Sequence, residues 1–506
     1  MHAVCSVRAV EDALGIQIPP NARLMRNLIE GIQYVQDHVI HFYHLHALDW
    51  VDIVSALDAD PAKTSQLAQS ISDWPKSSTT YFKGVQDRLK AFVESGQLGP
   101  FANGYWGHPA YGLPPEANLM AVAHYLEALD WQREVIRAHA LLGAKNPHLQ
   151  TYLVGGMARP VDPNSQTAIN ADRIAHLRSL FAKAEDFVKK VYLPDVLAVA
   201  PFYLDWASLG EGLGNFLAYG DFPLTDTLSS DDPGDLFLPR GIILDRDLST
   251  VHPVDQRKIA EYVTHSWYSY GDEGQPKHPW EGETRYNYTG PNPPYEFLNT
   301  DEKYSWMKAP RYDGKAMEVG PLARMLVAYA SGHEQVRQYV DAVLSTLDVG
   351  PEVLFSTLGR IAARCVETVV LAEQLVPWTD QLAANIASGD LRIHELEHWD
   401  PATWPAEAQG WGWHEAPRGA LGHWVHIKGG SIENYQCVVP STWNGSPRDA
   451  GGQPGAYEAS LIGTPVADPE QPLEVLRTIH SFDPCMACAV HILEPGGREV
   501  IRIQVV

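Results

Sequence analysis

Asp483-Pro484-Cys485-Met486-Ala487-Cys488-Ala489-Val490-His491 lies close to the C-terminus and narrows the chemistry of this chain more than any other stretch. Cysteines at i and i+3 can turn both sulfurs toward one metal, and thiolate is the ligand that soft and redox-active metals select. A CxxC pair by itself is as often two incidental buried thiols. The Asp-Pro before it and the His after it make the whole string far more specific.

Size and composition set the frame around that string. The chain has 506 residues, 45% of them hydrophobic, enough for a large core. A net charge of −24 and the lack of any Lys/Arg-rich run argue against a nucleic-acid partner. No apolar run reaches membrane-spanning length. Met1-His2-Ala3-Val4-Cys5-Ser6 lacks the basic and apolar regions of a signal peptide. The five cysteines, Cys5, Cys365, Cys437, Cys485 and Cys488, are neither a disulfide framework nor enough for several iron–sulfur clusters. Redox chemistry would therefore need an electron relay on another chain. Fifteen tryptophans and 22 tyrosines suggest a large aromatic core or an extensive interface.

Along the chain, Ser6 to Leu14 reads as a helix without a cap before it, ended by Gly15. A long amphipathic stretch from Asn21 to about Ala56 carries Asp37, His38, His41, His44 and His46, several on one face. A metal site there is conceivable, but the interleaved aromatics favour core histidines. Further helices are expected near 79–95, 116–144, 169–192, 252–267, 318–346, 351–388 and 470–481. Between about 200 and 310, Gly, Pro and Asp punctuate the chain and imply short strands packed on the helices. Gly422 to Pro440 alternates around Gly429-Gly430 and predicts a β-hairpin. Ile492 to Val506 has strand character. The fold class expected is α+β, predominantly helical, with a small C-terminal β-hairpin region.

Four elements could converge on one site. They are Cys485 with Cys488, the Pro/Gly-defined turn Glu415-Ala416-Pro417-Arg418-Gly419, the segment Tyr435 to Asn444 with its hydroxyls and carbonyls, and Asp37 with His38. An arginine on such a turn offers five donors in a fixed fork over a pocket, though a surface arginine near a turn is the commoner case.

These elements together resemble the large subunit of nickel–iron hydrogenase, in particular the membrane-bound uptake type, essentially from end to end. The most specific matches are Asp483-Pro484-Cys485-Met486-Ala487-Cys488 with His491, Glu415 to Gly419, Lys308-Ala309-Pro310-Arg311, Met317 to Arg324, and Gly104-Tyr105-Trp106-Gly107-His108-Pro109. His41-Phe42-Tyr43-His44-Leu45 and Trp74-Pro75-Lys76-Ser77-Ser78 add to it.

The resemblance implies a nickel held by cysteine thiolates, two of which bridge to an iron carrying cyanide and carbon monoxide. Cys485 would be a terminal nickel ligand and Cys488 a bridge. Arg418 would face the open position where H2 reacts, steadied by Asp37. Pro417, Ser441, Asp483 and His2 would form the outer shell, with Ser441 donating to a cyanide nitrogen. His491 would ligate magnesium together with the carbonyl of Cys437, and Leu45 would line the gas route. The logic is heterolysis of H2 in a dry, fixed electrostatic environment with a base to take the proton.

The family's first CxxC, its proton-relay Glu and its magnesium Glu precede the position of His2, so this chain is expected to be N-terminally incomplete and unable to assemble the centre as written. Cys5 is not a substitute, since it matches a small-residue position on the following helix. Residues 1–491 would be the large-subunit domain and 492–506 an extension removed by a maturation protease after nickel loading by its chaperones. That extension counts against the hydrogen-sensing members. Partners implied are an iron–sulfur small subunit and, through it, a membrane cytochrome b. The mature pair would sit on the periplasmic face of the cytoplasmic membrane. The alternatives are a metal-free quinone-site subunit related to respiratory complex I, against which Cys485, Cys488 and Arg418 argue, and a simple zinc or dithiol CxxC protein.

Overall fold

The computed structural model describes residues 1–96, 99–101, 104–227, 229–272, 275–291, 298–485, 489–493 and 499–504. Helices dominate. In chain order they are α1 (His2–Leu14), α2 (Pro20–Ile40), α3 (Pro61–Ile71), α4 (Thr79–Glu94), α5 (Pro115–Val135), α6 (Arg137–Gly143), α7 (Ala171–Phe187) and α8 (Leu193–Val199). They continue with α9 (Pro321–Ala330), α10 (Glu334–Leu347), α11 (Thr357–Ala387), α12 (Pro440–Asn444), α13 (Ala456–Leu461) and α14 (Leu473–His480). Their ends are written in local chemistry. Asp60, Ser78, Asn170 and Ser356 each accept a hydrogen bond from the first turn of the helix that follows. Gly15 closes α1 in the left-handed conformation, at φ 69°.

The strands are short until late in the chain. They are β1 (Tyr152–Leu153), β2 (Gly156–Met157), β3 (Phe216–Ala218), β4 (Asp221–Pro223), β5 (Leu236–Leu238), β6 (Gly241–Ile243), β7 (Ile259–Tyr262), β8 (Tyr268–Ser269), β9 (Arg285–Tyr286) and β10 (Ala309–Tyr312). Then come β11 (Glu407–Ala416), β12 (Gly419–Lys428) and β13 (Ser431–Val438), one antiparallel sheet in that order, and the pair β14 (Ala489–Leu493) and β15 (Glu499–Gln504). The α+β, mostly helical class expected from the sequence is what the structure shows.

Several expected boundaries moved. Residues 252–267 form no helix: Asp255 caps a 3-10 turn at Gln256–Lys258, and β7 follows, with Ile259 and Glu261 buried, paired to β10. Pro253 and the period-two burial explain the switch. The long stretch from Asn21 is α-helical only to Ile40, after which His41–His46 winds as a wider π-turn. The 318–346 segment breaks at Ser331-Gly332 into α9 and α10, and 116–144 into α5 and α6. The hairpin at Gly429-Gly430 is present, both residues at positive φ. Its neighbour β11 and helix α3 were not foreseen.

The main core lies where α2, α5, α7, α9, α10 and α11 meet. Gly31 lets α2 approach α11, since a Cβ there would stand 2.8 Å from Leu375. A second core under the late sheet is rich in tryptophan, Trp411, Trp413, Trp424 and Trp443, with Tyr219 stacked on Trp413 at 4.1 Å. Helix α1 rests directly on β11 because Gly410 and Gly412 have no side chain. A Cβ on Gly412 would meet Ala9 N at 2.5 Å and Cys5 O at 2.6 Å. We expect Gly412→Ala to destabilise the fold by about 1–3 kcal/mol, because rigid backbone must shift. A melting temperature equal to that of the unaltered protein would contradict this contact.

Candidate metal centre

The late sheet builds the first half of the site. Register pairs Ala416 with Gly419, so Pro417 and Arg418 form a two-residue hairpin turn. Gly419 sits at φ 131°, and a Cβ there would lie 2.7 Å from Gly320 N. Backbone against backbone at this point presses the start of α9 onto the turn and aims Arg418 inward.

The loop after α14 builds the second half. Asp483 takes a positive φ of 56°, a conformation Asp tolerates better than most residues, and its N–H donates to His480 O at 2.9 Å. Its side chain is 1% exposed between two guanidiniums, with Arg418 Nη2 at 3.1 Å and Arg364 Nη1 at 3.7 Å. Pro484 and Cys485 follow, and Cys485 is exposed. The Cys485 N–H donates to Ser441 Oγ at 3.1 Å, tying this loop to the start of α12.

Thus Cys485, Arg418, Pro417, Asp483 and Ser441 come together as the sequence suggested. Burial lowers and Asp483 and Asp37 raise the Arg418 pKa, with a net upward shift, so Arg418 stays cationic. Asp37 is close enough to feel Arg418 and Asp483, and burial with the nearby Asp483 pushes its carboxyl up to about 6 despite Arg418. The short ion pair of Arg418 is with Asp483, however, so direct support comes from the loop and not from the helix. Cys488 and the side chain of His491 lie outside the described residues.

Other expected residues fall nearby or apart. His2 Nδ1 lies 2.9 Å from His423 Nε2, and the ligand atoms of His2, His423 and Cys437 all lie within 4.8 Å of one another. Cys5 is buried under the sheet, with its thiol donating to Gly412 O, as a packing residue would be. Leu45 is 50% exposed and does not face the apolar cavity of about 80 Å3 that Phe42, Tyr43, Trp50, Leu347 and Ala362 line. The buried histidines of the π-turn region are bonded to protein groups: His41 donates to His480 O, His46 meets Arg477 O, and His38 meets Glu367.

Sequence reasoning did not foresee the buried ion network behind the turn. Arg324, quoted only as part of a motif, is fully buried against Glu367 and Glu415. Arg364 donates to His38 Nδ1 at 3.2 Å, which leaves His38 Nε2–H to donate to Glu367 at 2.7 Å. Burial would raise Glu367, but Arg324 and His38 together hold it down to about 2. Burial lowers His38 to about 4, outweighing Glu367. Burial outweighs Arg324 at Glu415 and pushes that carboxyl up to about 7. A cluster of like-spaced charges in apolar helices was the available signal, since such charges are buried only when paired.

That network fixes a sign for acid stability. Both His38 and Glu367 bind protons more weakly folded than unfolded. His38 therefore costs stability as pH drops from about 6.5 to about 4, while Glu415, raised to about 7, works against it over that range. Below about pH 4 the decline is unopposed within the network, and stability falls towards about pH 2 through Glu367. Melting temperature followed against pH should show this decline. A flat profile across that window would refute it.

Comparisons with known proteins identify the family. A family model described as nickel-dependent hydrogenase matches residues 1–491. The uptake hydrogenase large subunit of Rhizobium leguminosarum bv. viciae is 54% identical, over 100% of this chain and 86% of its own length. The hydrogenase-1 large chain of Escherichia coli K12 is 49% identical over the same shares. Among solved structures, a variant of the nickel–iron–selenium hydrogenase of Desulfovibrio vulgaris Hildenborough superposes with a TM-score of 0.74 at 32% identity, over 96% of this chain and 84% of that one. With the arginine turn, the buried aspartate and the exposed cysteine in one place, and a match running from residue 1 to 491, this chain belongs to the nickel-dependent hydrogenase family.

Proposed function

We propose that this chain is the catalytic large subunit of a nickel–iron uptake hydrogenase, oxidising H2 to protons and passing the electrons to an iron–sulfur small subunit. The observation that carries this is the convergence of Arg418, Asp483, Ser441 and Cys485 from three separate elements. These residues fit a thiolate-held metal pair with cyanide and carbon monoxide ligands. Cys485 offers an exposed thiol, and Arg418 keeps a buried Nε without a protein partner. When bound, nickel and iron supply Lewis-acid activation of H2 and take up its electrons.

The chain's own residues do the rest. Cys485 and Cys488 would hold the metals. Arg418, pinned by Asp483, presents a fixed cation at the open face, and Asp37 adds a second acidic group to that field. Ser441 Oγ accepts from the Cys485 N–H, which leaves its hydroxyl hydrogen for a cyanide nitrogen. His491 and the Cys437 carbonyl would hold magnesium. Leu45 would line the gas route by the family resemblance; it is half exposed and is not among the residues that line the apolar cavity beside Phe42 and Tyr43.

The reading extends to assembly. The family match stops at His491, which supports removal of 492–506 by a maturation protease after nickel chaperones have loaded the site. The relatives' names as large subunits support a small-subunit partner, and their description as uptake enzymes supports a place at the periplasmic face of the membrane beside a cytochrome b. No helix among the described residues is long and apolar enough to cross a membrane. The chain spans 86% of the length of the first curated relatives it matches.

The test is to purify the native gene product with its small subunit and measure nickel, iron, infrared bands of iron-bound cyanide and carbon monoxide, and H2-dependent dye reduction. All four are expected. A correctly assembled pair without nickel would overturn the reading.

A further inference from the structure

Arg324 uses all five of its donors. Nε donates to Glu367 Oε1 at 2.5 Å, and Nη2 to Glu367 Oε2 at 2.7 Å and Pro417 O at 2.9 Å. Nη1 donates to Glu415 Oε2 at 2.7 Å and Ala416 O at 2.8 Å. The preceding carbonyl, Glu415 O, accepts from Tyr34 OH, and the Tyr34 ring lies 5.1 Å beneath the Arg324 guanidinium. Three successive carbonyls leading into Arg418 are therefore gripped from the helical side.

The grip is part of a closed circuit. Glu367 accepts from His38, His38 accepts from Arg364, and Arg364 holds Ser481 O at 3.1 Å and Asp483 at 3.7 Å. Asp483 in turn pairs with Arg418. The turn carrying Arg418 and the loop carrying Cys485 are thus referenced to one another through α2, α9 and α11, from behind the site.

We propose that Arg324 is a positioning residue for Arg418, setting where that guanidinium stands over Asp483 and Cys485; this rests on the hydrogenase reading above. Arginine is required because its planar fork reaches Glu367 and two carbonyls at once, which a single ammonium nitrogen cannot do. Buried pairing alone would ask only for charge. Gripping the carbonyls of Ala416 and Pro417 asks for geometry.

The test uses the native heterodimer with Arg324→Lys and, separately, Glu367→Gln. Arg26→Lys serves as control, because Arg26 is equally buried, pairs with Glu11 and two carbonyls, and stands outside the site. Nickel and iron content are expected to stay at the level of the unaltered protein. The KM for H2 should hold within about twofold while kcat per nickel falls about 10- to 100-fold, the scale of a misplaced group near the chemistry. The infrared bands of iron-bound cyanide should shift in Arg324→Lys and, less, in Glu367→Gln, and stay unshifted in Arg26→Lys.

Unaltered kcat and unshifted bands in nickel-loaded Arg324→Lys would overturn the proposal. So would equal losses in Arg26→Lys, and so would failure of both site variants to fold, since either assigns the network to stability alone. Failure of the hydrogenase reading looks different: the unaltered protein itself would lack nickel.

Discussion

Arg418→Lys is expected to lower H2 oxidation by about two to three orders of magnitude with nickel content unchanged. The guanidinium stands at a two-residue turn whose length is set by the Ala416–Gly419 pairing, so its backbone has little freedom to adapt. Its Nη2 pairs with Asp483 at 3.1 Å, its side chain is 27% exposed, and Cys485 is close enough to act on it electrostatically. Lysine keeps the charge but replaces a planar fork by one hydrated nitrogen on a flexible stem. It can satisfy Asp483 or face the metals, and not both in the same geometry. The measurement is dye reduction under H2, normalised to nickel. A loss smaller than about tenfold would mean that charge alone suffices and that the fork has no catalytic part.

Cys485→Ala is expected to empty the centre altogether, with nickel below about a tenth of the normal content and no H2 oxidation, since thiolate is the donor that secures such metals. The other described cysteines cannot replace it. Cys5 donates to Gly412 O inside the α1–sheet contact, and burial raises its pKa well above the ordinary thiol value. Cys365 is buried in α11, where desolvation also raises its thiol. Cys437 belongs to the end of β13, beside His2 and His423. Because Cys485 is exposed, its loss removes little packing, and the melting temperature of the metal-free polypeptide should be nearly unchanged. Metal analysis beside a melting curve separates the two effects. Normal nickel in the variant would remove Cys485 from the ligand set.

Parts of the site were readable without coordinates because they obey short-range rules. Pro417 and Gly419 bracket a turn whatever surrounds it, and Gly429-Gly430 turns the next hairpin. Of the histidines from His38 to His46, His38, His41 and His46 are buried and each meets a protein partner, while His44 is half-buried. Asp37 was expected to hold Arg418, but the close pair is Asp483, because the loop after α14 folds back within 3.1 Å of the turn. Leu45 was expected on a gas route; the π-turn at His41–His46 carries Phe42 and Tyr43 to an apolar cavity and leaves Leu45 half exposed outside its lining. Residues 252–267 misled because a polar, proline-bounded segment has no strong period until its partner β10 is in place.

Sequence alone determined the class of chemistry and the helical character of this protein. Soft ligands, turn-forming residues and the 3.6-residue pattern are local properties that need no partner to be recognised. Tertiary structure alone decided which charges face one another. Arg324, Glu367, Arg364 and Asp483 are spread across some 160 positions of the chain, roughly the length of a whole small domain. Nothing in their neighbours along the chain says that they form one buried circuit. Coulomb attraction between buried groups is strong only within a few ångströms and only where water is excluded, and both conditions arise when α2, α9 and α11 close over the turn.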